Sequence, residues 1–365
     1  MARDRRPFSF GAFAVASLTL ISPRCLASQV SPEQARAAAY AADESIAPYP
    51  RNVLVTLLGF DEEHLRRLDA GEAVVGNMLY DQGDELAVAG AVRVEGDRET
   101  FVRTMHPSWR FQGRTPDAPM GVFSDPPQIS DLASLRLGPK MIDEIRQCRP
   151  GSCGIQLTAD AITALREGID WKVPGYEEEV ERRARVFLIE RLREYQQNGY
   201  ADASPFADAR RPGDRVAEFD ELLGHAMLQA AQEPLVHRYL ADYPRAPADG
   251  IEDTFYWTRT EGGGGAEPTL SVVHAATWTD PSDPTRVAIF DRLLYSTQYV
   301  VVSLGETTIA PDKDRAGGFY VVRLQRVRFR VGGGLAHGVI MGRVQTAMRQ
   351  ALAAELEMAR MVAGR

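Results

Sequence analysis

Two hydrophobic periods divide the chain. From 131 to 243 apolar residues recur every three or four positions, the spacing of helices that bury one face. Residues 157–171 and 177–197 are the clearest of these, with Thr158 placed to cap the first and Asn198-Gly199 to stop the second. After Pro244 the period falls to two. Residues 254–260, 270–279, 287–303 and 319–331 are runs rich in aromatic and β-branched residues, which predicts strands. Their links are short and built from turn residues: glycines at 262–265, Asp-Pro-Ser-Asp-Pro at 280–284, and residues 311–318. Short links predict antiparallel pairing.

Upstream, residues 31–43 read as a Ser31-capped helix, and 61–69 as a second short helix closed by Gly71. Residues 85–94 read as a strand, followed by a helix over 97–105 with Asp97 as its N-cap. Beyond Gly332-Gly333-Gly334 one long helix runs over 335–361. At about 100° per residue, Ile340, Val344, Ala347, Met348, Ala351, Met358 and Val362 share one side, which predicts that this side lies on the sheet. Ala347 and Ala351 are small for a core face. Either the sheet presses close there or a cavity remains.

The N-terminus changes the picture. Arg3, Arg5 and Arg6 precede an uncharged run of 14 residues from Phe8 to Ile21, and Cys25-Leu26-Ala27 puts small residues at −3 and −1 of a cleavage point. That is the pattern of a secretory leader spanning 1–27. Fourteen helical residues reach about 21 Å, short of the roughly 30 Å hydrocarbon core of a bilayer. Export to the periplasm or the medium is the expectation. Cleavage would also remove Cys25, leaving Cys148 and Cys153 around a Pro150-Gly151 turn. In an oxidising compartment this even pair reads as a local disulfide. A metal half-site would need a second Cys or His pair, and a redox motif would have two intervening residues where this has four.

Composition adds exclusions. With 44% hydrophobic and 25% charged residues the chain is that of a folded protein, and 50 acidic against 42 basic residues give a net charge of −8. A whole-body electrostatic grip on nucleic acid is excluded as an expectation. No P-loop, His-Glu-x-x-His or Gly-x-Ser-x-Gly occurs, and the six histidines are scattered. No cofactor or metal site is expected.

Taken in order, the strand AVAGAVRV, the helix opening EGDRETFVRTM, the run of strands and the final amphipathic helix resemble the START-related helix-grip (SRPBCC-like) superfamily. The resemblance covers residues 85–125 and 250–362. It implies an α+β fold in which a curved antiparallel sheet grips the C-terminal helix around a cavity for a lipid, sterol, polyketide or other apolar molecule, with catalysis in a minority of members. The domain expectation is a leader (1–27), a helical segment (28–84), a helix-grip domain (85–125 and 245–365) and a helical insertion (126–244).

Candidate site residues are those that break an apolar pattern. His274 shares a strand face with Leu270, Val272, Ala276 and Trp278, as a satisfied buried histidine or as a polar contact in a pocket. Asp291 and Arg292 are neighbours in a strand whose faces are both apolar, so a charge must turn inward and find a partner. Glu355 lies at the edge of the final helix's apolar side, placed to meet an inward Arg or to hang off a frayed end. Val344, Ala347, Met348 and Ala351 would border the ligand space. Arg326, Arg328 and Arg330 share one strand face, which reads as solvated. The function expected is an exported carrier or binder of an apolar molecule or lipid, with transient envelope contacts. An exported hydrolase drawing on His274, Asp291 and Glu355, or a helical interaction module built from 131–243, are the alternatives. The processing expectation is directly measurable: intact mass of the exported protein should correspond to a chain starting at Ser28, and a mass retaining residues 8–21 would contradict it.

Overall fold

The computed structural model describes residues 51–56, 58–77, 84–105, 120–199, 206–207, 215–225, 234–245, 249–260, 268–330 and 337–363. The leader, the 31–43 helix and the glycine runs at 262–265 and 332–334 lie outside the described residues. The fold is α+β. Eight strands form one antiparallel sheet: β1 (Val74–Asn77), β2 (Glu85–Glu95), β3 (Met120–Val122), β4 (Ile251–Thr260), β5 (Thr269–Thr279), β6 (Val287–Ser296), β7 (Val300–Pro311) and β8 (Gly318–Phe329). Their spatial order is β1-β2-β8-β7-β6-β5-β4-β3, so the sheet is open, with its two shortest strands at the edges.

Helices cover both faces. Among the described residues these are α1 (Arg51–Thr56), α2 (Glu62–Asp69), α3 (Arg98–Met105), α4 (Pro139–Gln147), α5 (Ala159–Arg166), α6 (Tyr176–Asn198), α7 (Arg215–His225), α8 (Pro234–Asp242) and α9 (His337–Ala363). None is long and apolar enough to cross a membrane. Side chains cap several helix starts, at Asp97 and Thr158 as the sequence predicts and at Asp61 in addition. The Asp61 carboxylate accepts from the His64 amide at 2.9 Å, Asp97 from the Glu99 amide at 3.1 Å and Thr158 from the Ala161 amide at 3.1 Å. Gly199, at φ 69°, closes α6.

On one side, the α6 face, α1 and α2 pack over Ala87, Ala89, Ala91, Tyr320 and Val322, while α4 to α8 share a larger core with Trp257, Val272, Trp278, Phe290 and Leu304. The other side, the α9 face, carries α3 and α9 over Val88, Val92, Phe319 and Val321. A sheet covered twice has little room for polar alternation, which is why β2 is buried from Glu85 to Val94 without interruption. The run at 287–303 is two strands and not one: it breaks at Thr297–Tyr299, where Tyr299 takes φ 55°, and β7 resumes at Val300 and continues to Pro311. The edge strands β1 and β3 are too short to carry a periodic signal.

Cys148 and Cys153 are bonded, with Cα atoms 4.4 Å apart, and the bridge ties the end of α4 to the turn before α5. The expected face of the final helix needs correcting. Met341, Leu352, Leu356 and Ala359 face the core, whereas Ala347 and Ala351 are exposed, as are Ile340 and Met358; Val344 and Met348 are half-buried. The observed phase is rotated by about one residue, roughly 100°. Its cause lies on the sheet: a Cβ on Gly90 would come within 2.8 Å of Leu356 Cδ1, so the close approach is made by a strand glycine beneath a leucine and not by alanines on the helix. Leu356→Ala is therefore expected to cost about 2 to 5 kcal/mol, and Ala347→Trp to change stability by no more than about 0.5 kcal/mol, in paired urea unfolding. A large loss from Ala347→Trp would restore the alanine-inward phase.

Candidate functional site

The α9 face carries an open cleft of about 690 Å³ between α3 and strands β4 to β6. Arg98, Glu99, Val102 and Arg103 form its α3 wall, and Ile251, Glu252, Thr277, Thr279 and Val287 form the sheet side. Arg98 is pinned by donating to the Thr285 carbonyl at 2.7 Å, and Arg103 donates to Thr100 Oγ1 at 3.1 Å. Thr277 is the anomaly. It is buried to 6% exposure, yet its Oγ1 has no hydrogen-bond partner. An unmet buried hydroxyl costs on the order of 1 to 3 kcal/mol.

Strand register puts Thr277 in a polar row. Glu252, Thr277, Ile289, Thr307 and Arg323 are direct cross-strand neighbours from β4 to β8, and Thr254, Ala275, Asp291, Gly305 and Gln325 form the next row. Arg323 Nη1 donates to Asp291 Oδ2 and to Thr307 Oγ1, each at 2.8 Å, and Nη2 donates to Gln325 Oε1 at 3.2 Å. Tyr256 donates to Asp291 Oδ1 at 3.1 Å, and Glu355 of α9 approaches Arg323 Nε at 3.8 Å. Gly305 makes the crossing possible, because a Cβ there would lie 2.7 Å from Arg323 Nη2. Burial opposes the guanidinium charge, but the Asp291 and Glu355 carboxylates outweigh it and hold Arg323 above its ordinary pKa.

Asp291 and Glu355 thus converge on one arginine. His274 and Arg292 do not join them, since they project from the α6 face. His274 is fully buried, with Nε2 2.7 Å from Asp253 Oδ1 and Nδ1 2.9 Å from the Tyr195 hydroxyl. Tyr239 donates to Asp253 Oδ2 at 2.5 Å, and the imidazole stacks on Phe255 at 4.7 Å between centroids. Arg292 donates to the Leu240 carbonyl and lies 3.7 Å from the Phe219 ring centroid. These residues fasten α6, α7 and α8 to the sheet. Burial pushes the His274 pKa down, with Arg292 adding to the effect and Asp253 opposing it. A neutral ring donating from Nε2 to Asp253 and accepting at Nδ1 from Tyr195 satisfies every atom.

Two expectations change. A hydrolytic set of His274, Asp291 and Glu355 does not assemble, because the sheet stands between the histidine and the carboxylates. The arginine face is not solvated: Arg326 and Arg328 bond to the buried Glu85 carboxylate at 2.8 and 3.2 Å, and His225 of α7 reaches it at 3.0 Å. Among the described residues no cluster of His, Cys, Asp or Glu could hold a metal. Sequence reasoning missed Arg323, Tyr256, Thr277, Asp253 and Tyr195. Arg323 carried the same signal that exposed Asp291, a charge alternating with Phe319 and Val321 on an apolar strand face.

No family model and no curated protein matches the chain. Two solved structures are similar to part of it. The Zhui aromatase/cyclase from Streptomyces sp. R1128 shares 15% identity over 39% of this chain and 84% of its own, with a TM-score of 0.19. The Mll3558 protein from Rhizobium loti shares 22% over 36% of this chain and 87% of its own, with a TM-score of 0.16. Both likenesses are weak and partial.

The buried histidine generates a pH prediction. Its native pKa lies below the 6.5 of an ordinary imidazole, so the unfolded chain takes up the proton first. The stability this group confers is intact above about pH 6.5 and is lost as pH falls toward the native pKa. Thermal unfolding scanned from pH 7.5 to 5.5 should show wild type losing Tm in acid more steeply than His274→Gln. Parallel curves would show that the ring does not titrate on unfolding.

Proposed function

We propose that this is an exported protein that binds a small, largely apolar molecule in the cleft between α3 and strands β4 to β6. The observation that carries the reading is the cleft of about 690 Å³ itself, which sets an apolar wall beside the polar side chains of Thr277 and Thr279. Val102, Ile251, Pro284 and Val287 supply apolar contact, and Arg98, Glu99, Arg103 and Glu252 ring it with charges of both signs. Val344, Ala347, Met348 and Ala351 of α9 are not among the residues that line this cleft. Export is supported by the leader pattern and by the Cys148–Cys153 bridge, which persists in an oxidising compartment. Carriage is favoured over catalysis because His274, the one buried histidine among the described residues, is shut beneath α6, away from the cleft.

The test is titration of the full mature chain with N-phenyl-1-naphthylamine, a neutral apolar fluorophore. Wild type should bind it saturably. Val102→Trp, which projects from α3 into the cleft, should abolish binding while moving Tm by only about 2 °C, as expected for a partly exposed position. Absence of saturable binding by wild type, or undiminished binding by the variant, would remove the reading.

A further inference from the structure

The final helix carries two apolar seams, and the fold buries one of them. Met341, Leu352, Leu356 and Ala359 face inward, where α9 packs against β1, β2, β8 and α3. On the outer side Ile340, Val344, Ala347, Ala351, Ala354 and Met358 recur at alternating steps of four and three, and Met361 completes the third heptad. That is the 3.5-residue repeat of a helix that packs along another helix. Val344 is half-buried and the rest of the seam is exposed. Of the eight large apolar residues exposed among the described ones, four belong to α9: Val339, Ile340, Met358 and Met361. Such a concentration marks a contact surface.

The charges beside the seam say what covers it. Arg343, Gln350 and Glu357 stand seven residues apart along one flank; Arg343 is exposed, and half-buried Glu357 accepts from Arg360 Nε at 2.9 Å. A second α9 laid antiparallel, with the twofold axis beside Gln350, brings Arg343 of each copy next to Glu357 of the other and lets the two glutamine amides meet at the axis. The same register sets Ala347 against Ala351, Val344 against Ala354 and Ile340 against Met358. Small residues then meet in the middle, where helix axes can come to the close end of the usual 8–10 Å, and bulkier ones close the two ends. A parallel pair offers no such match, because Arg343 would flank Met348 and Glu357 would flank Val362. The contact is one helix wide. Residues 340–361 span about 33 Å at 1.5 Å per residue, which gives about 330 Å² on each copy for a helix about 10 Å across. Stable complexes bury roughly 800 Å² per partner, so this pairing is weak and reversible.

We propose that the outer seam of α9 docks a second copy of this chain: two α9 helices pair antiparallel over residues 340–361, with Arg343 of each beside Glu357 of the other, in a dimer of micromolar affinity. The contact is isologous, so it closes at two copies. It stands apart from the ligand cleft, none of whose lining residues belongs to α9.

Sedimentation equilibrium of the full mature chain, from about 1 to 300 µM at pH 7.5 and about 0.15 M salt, tests this. Wild type should pass from monomer to dimer across that range. Ala351→Glu puts a carboxylate from each copy into the middle of the seam and should weaken the dimer at least about tenfold, while leaving Tm in dilute solution unchanged because the position is exposed. Arg343→Glu replaces two ion pairs by two like-charge contacts and should weaken it about tenfold. Adding Glu357→Arg to that variant restores opposite charges in the antiparallel register only, and should bring the affinity back to within about threefold of wild type. A wild type that stays monomeric, growth beyond a dimer, an Ala351→Glu dimer as tight as wild type, or an Arg343→Glu loss that Glu357→Arg does not repair overturns the proposal.

Discussion

A sheet packed on both faces has no solvent side on which to place a charge. Each ionisable residue in its central strands must find its counterpart inside the protein, and the arrangement of this fold follows from those pairings. Asp291 and Arg292, adjacent in β6, go to opposite faces and are held by different layers: Asp291 by Arg323 from β8, and Arg292 by the Phe219 ring and the Leu240 carbonyl of the helical layer. At the far end of the sheet, Glu85 gathers Arg326, Arg328 and His225, and burial of its carboxylate is more than offset by those partners, which hold its pKa below the ordinary value. Arg93 and Asp312 make a similar buried pair at 2.6 Å. Such pairs add little net stability over apolar residues, but removing one partner would strand the other, so they fix which strand lies beside which.

Small residues decide where those layers can approach. Gly90 lets Leu356 settle onto β2, and Gly305 leaves the space through which Arg323 crosses to Asp291. Both glycines lie in strands, where the missing side chain weakens pairing and marks a close approach. The Arg323–Asp291 pairing and the seating of α9 are therefore consequences of two absent Cβ atoms on one face of the sheet. The helical layer reaches the opposite face by aromatic and histidine contacts, so its attachment leaves the cleft untouched.

The fold was largely legible because its main elements are long and strongly periodic. Five strands, the α3 opening at Asp97 and the α6 stop at Gly199 follow from local pattern and capping chemistry. The break inside 287–303 was not legible, since a left-handed Tyr299 carries no compositional mark and both halves share the same β-branched character. The phase of α9 was misread because alanine and methionine populate several sides of that helix, and the residue that sets its phase, Gly90, lies about 250 positions earlier in sequence. Of the site, Asp291 and Glu355 were visible as misfits. Arg323 joins them only through register, which no local window contains, and Thr277 is conspicuous only when its missing partner is seen.

The pairing of β2 with β8 joins residues 85–95 to residues 318–329, in the middle of the sheet. More than two hundred residues must therefore be made before the central ladder can zip, and closing so long a loop makes assembly slow. A chain still on the ribosome cannot close the central ladder until β8 has emerged. The N-terminal strand thus waits on the C-terminal one, and a chain cut anywhere before residue 318 would leave β2 without the neighbour that places it in the middle of the sheet.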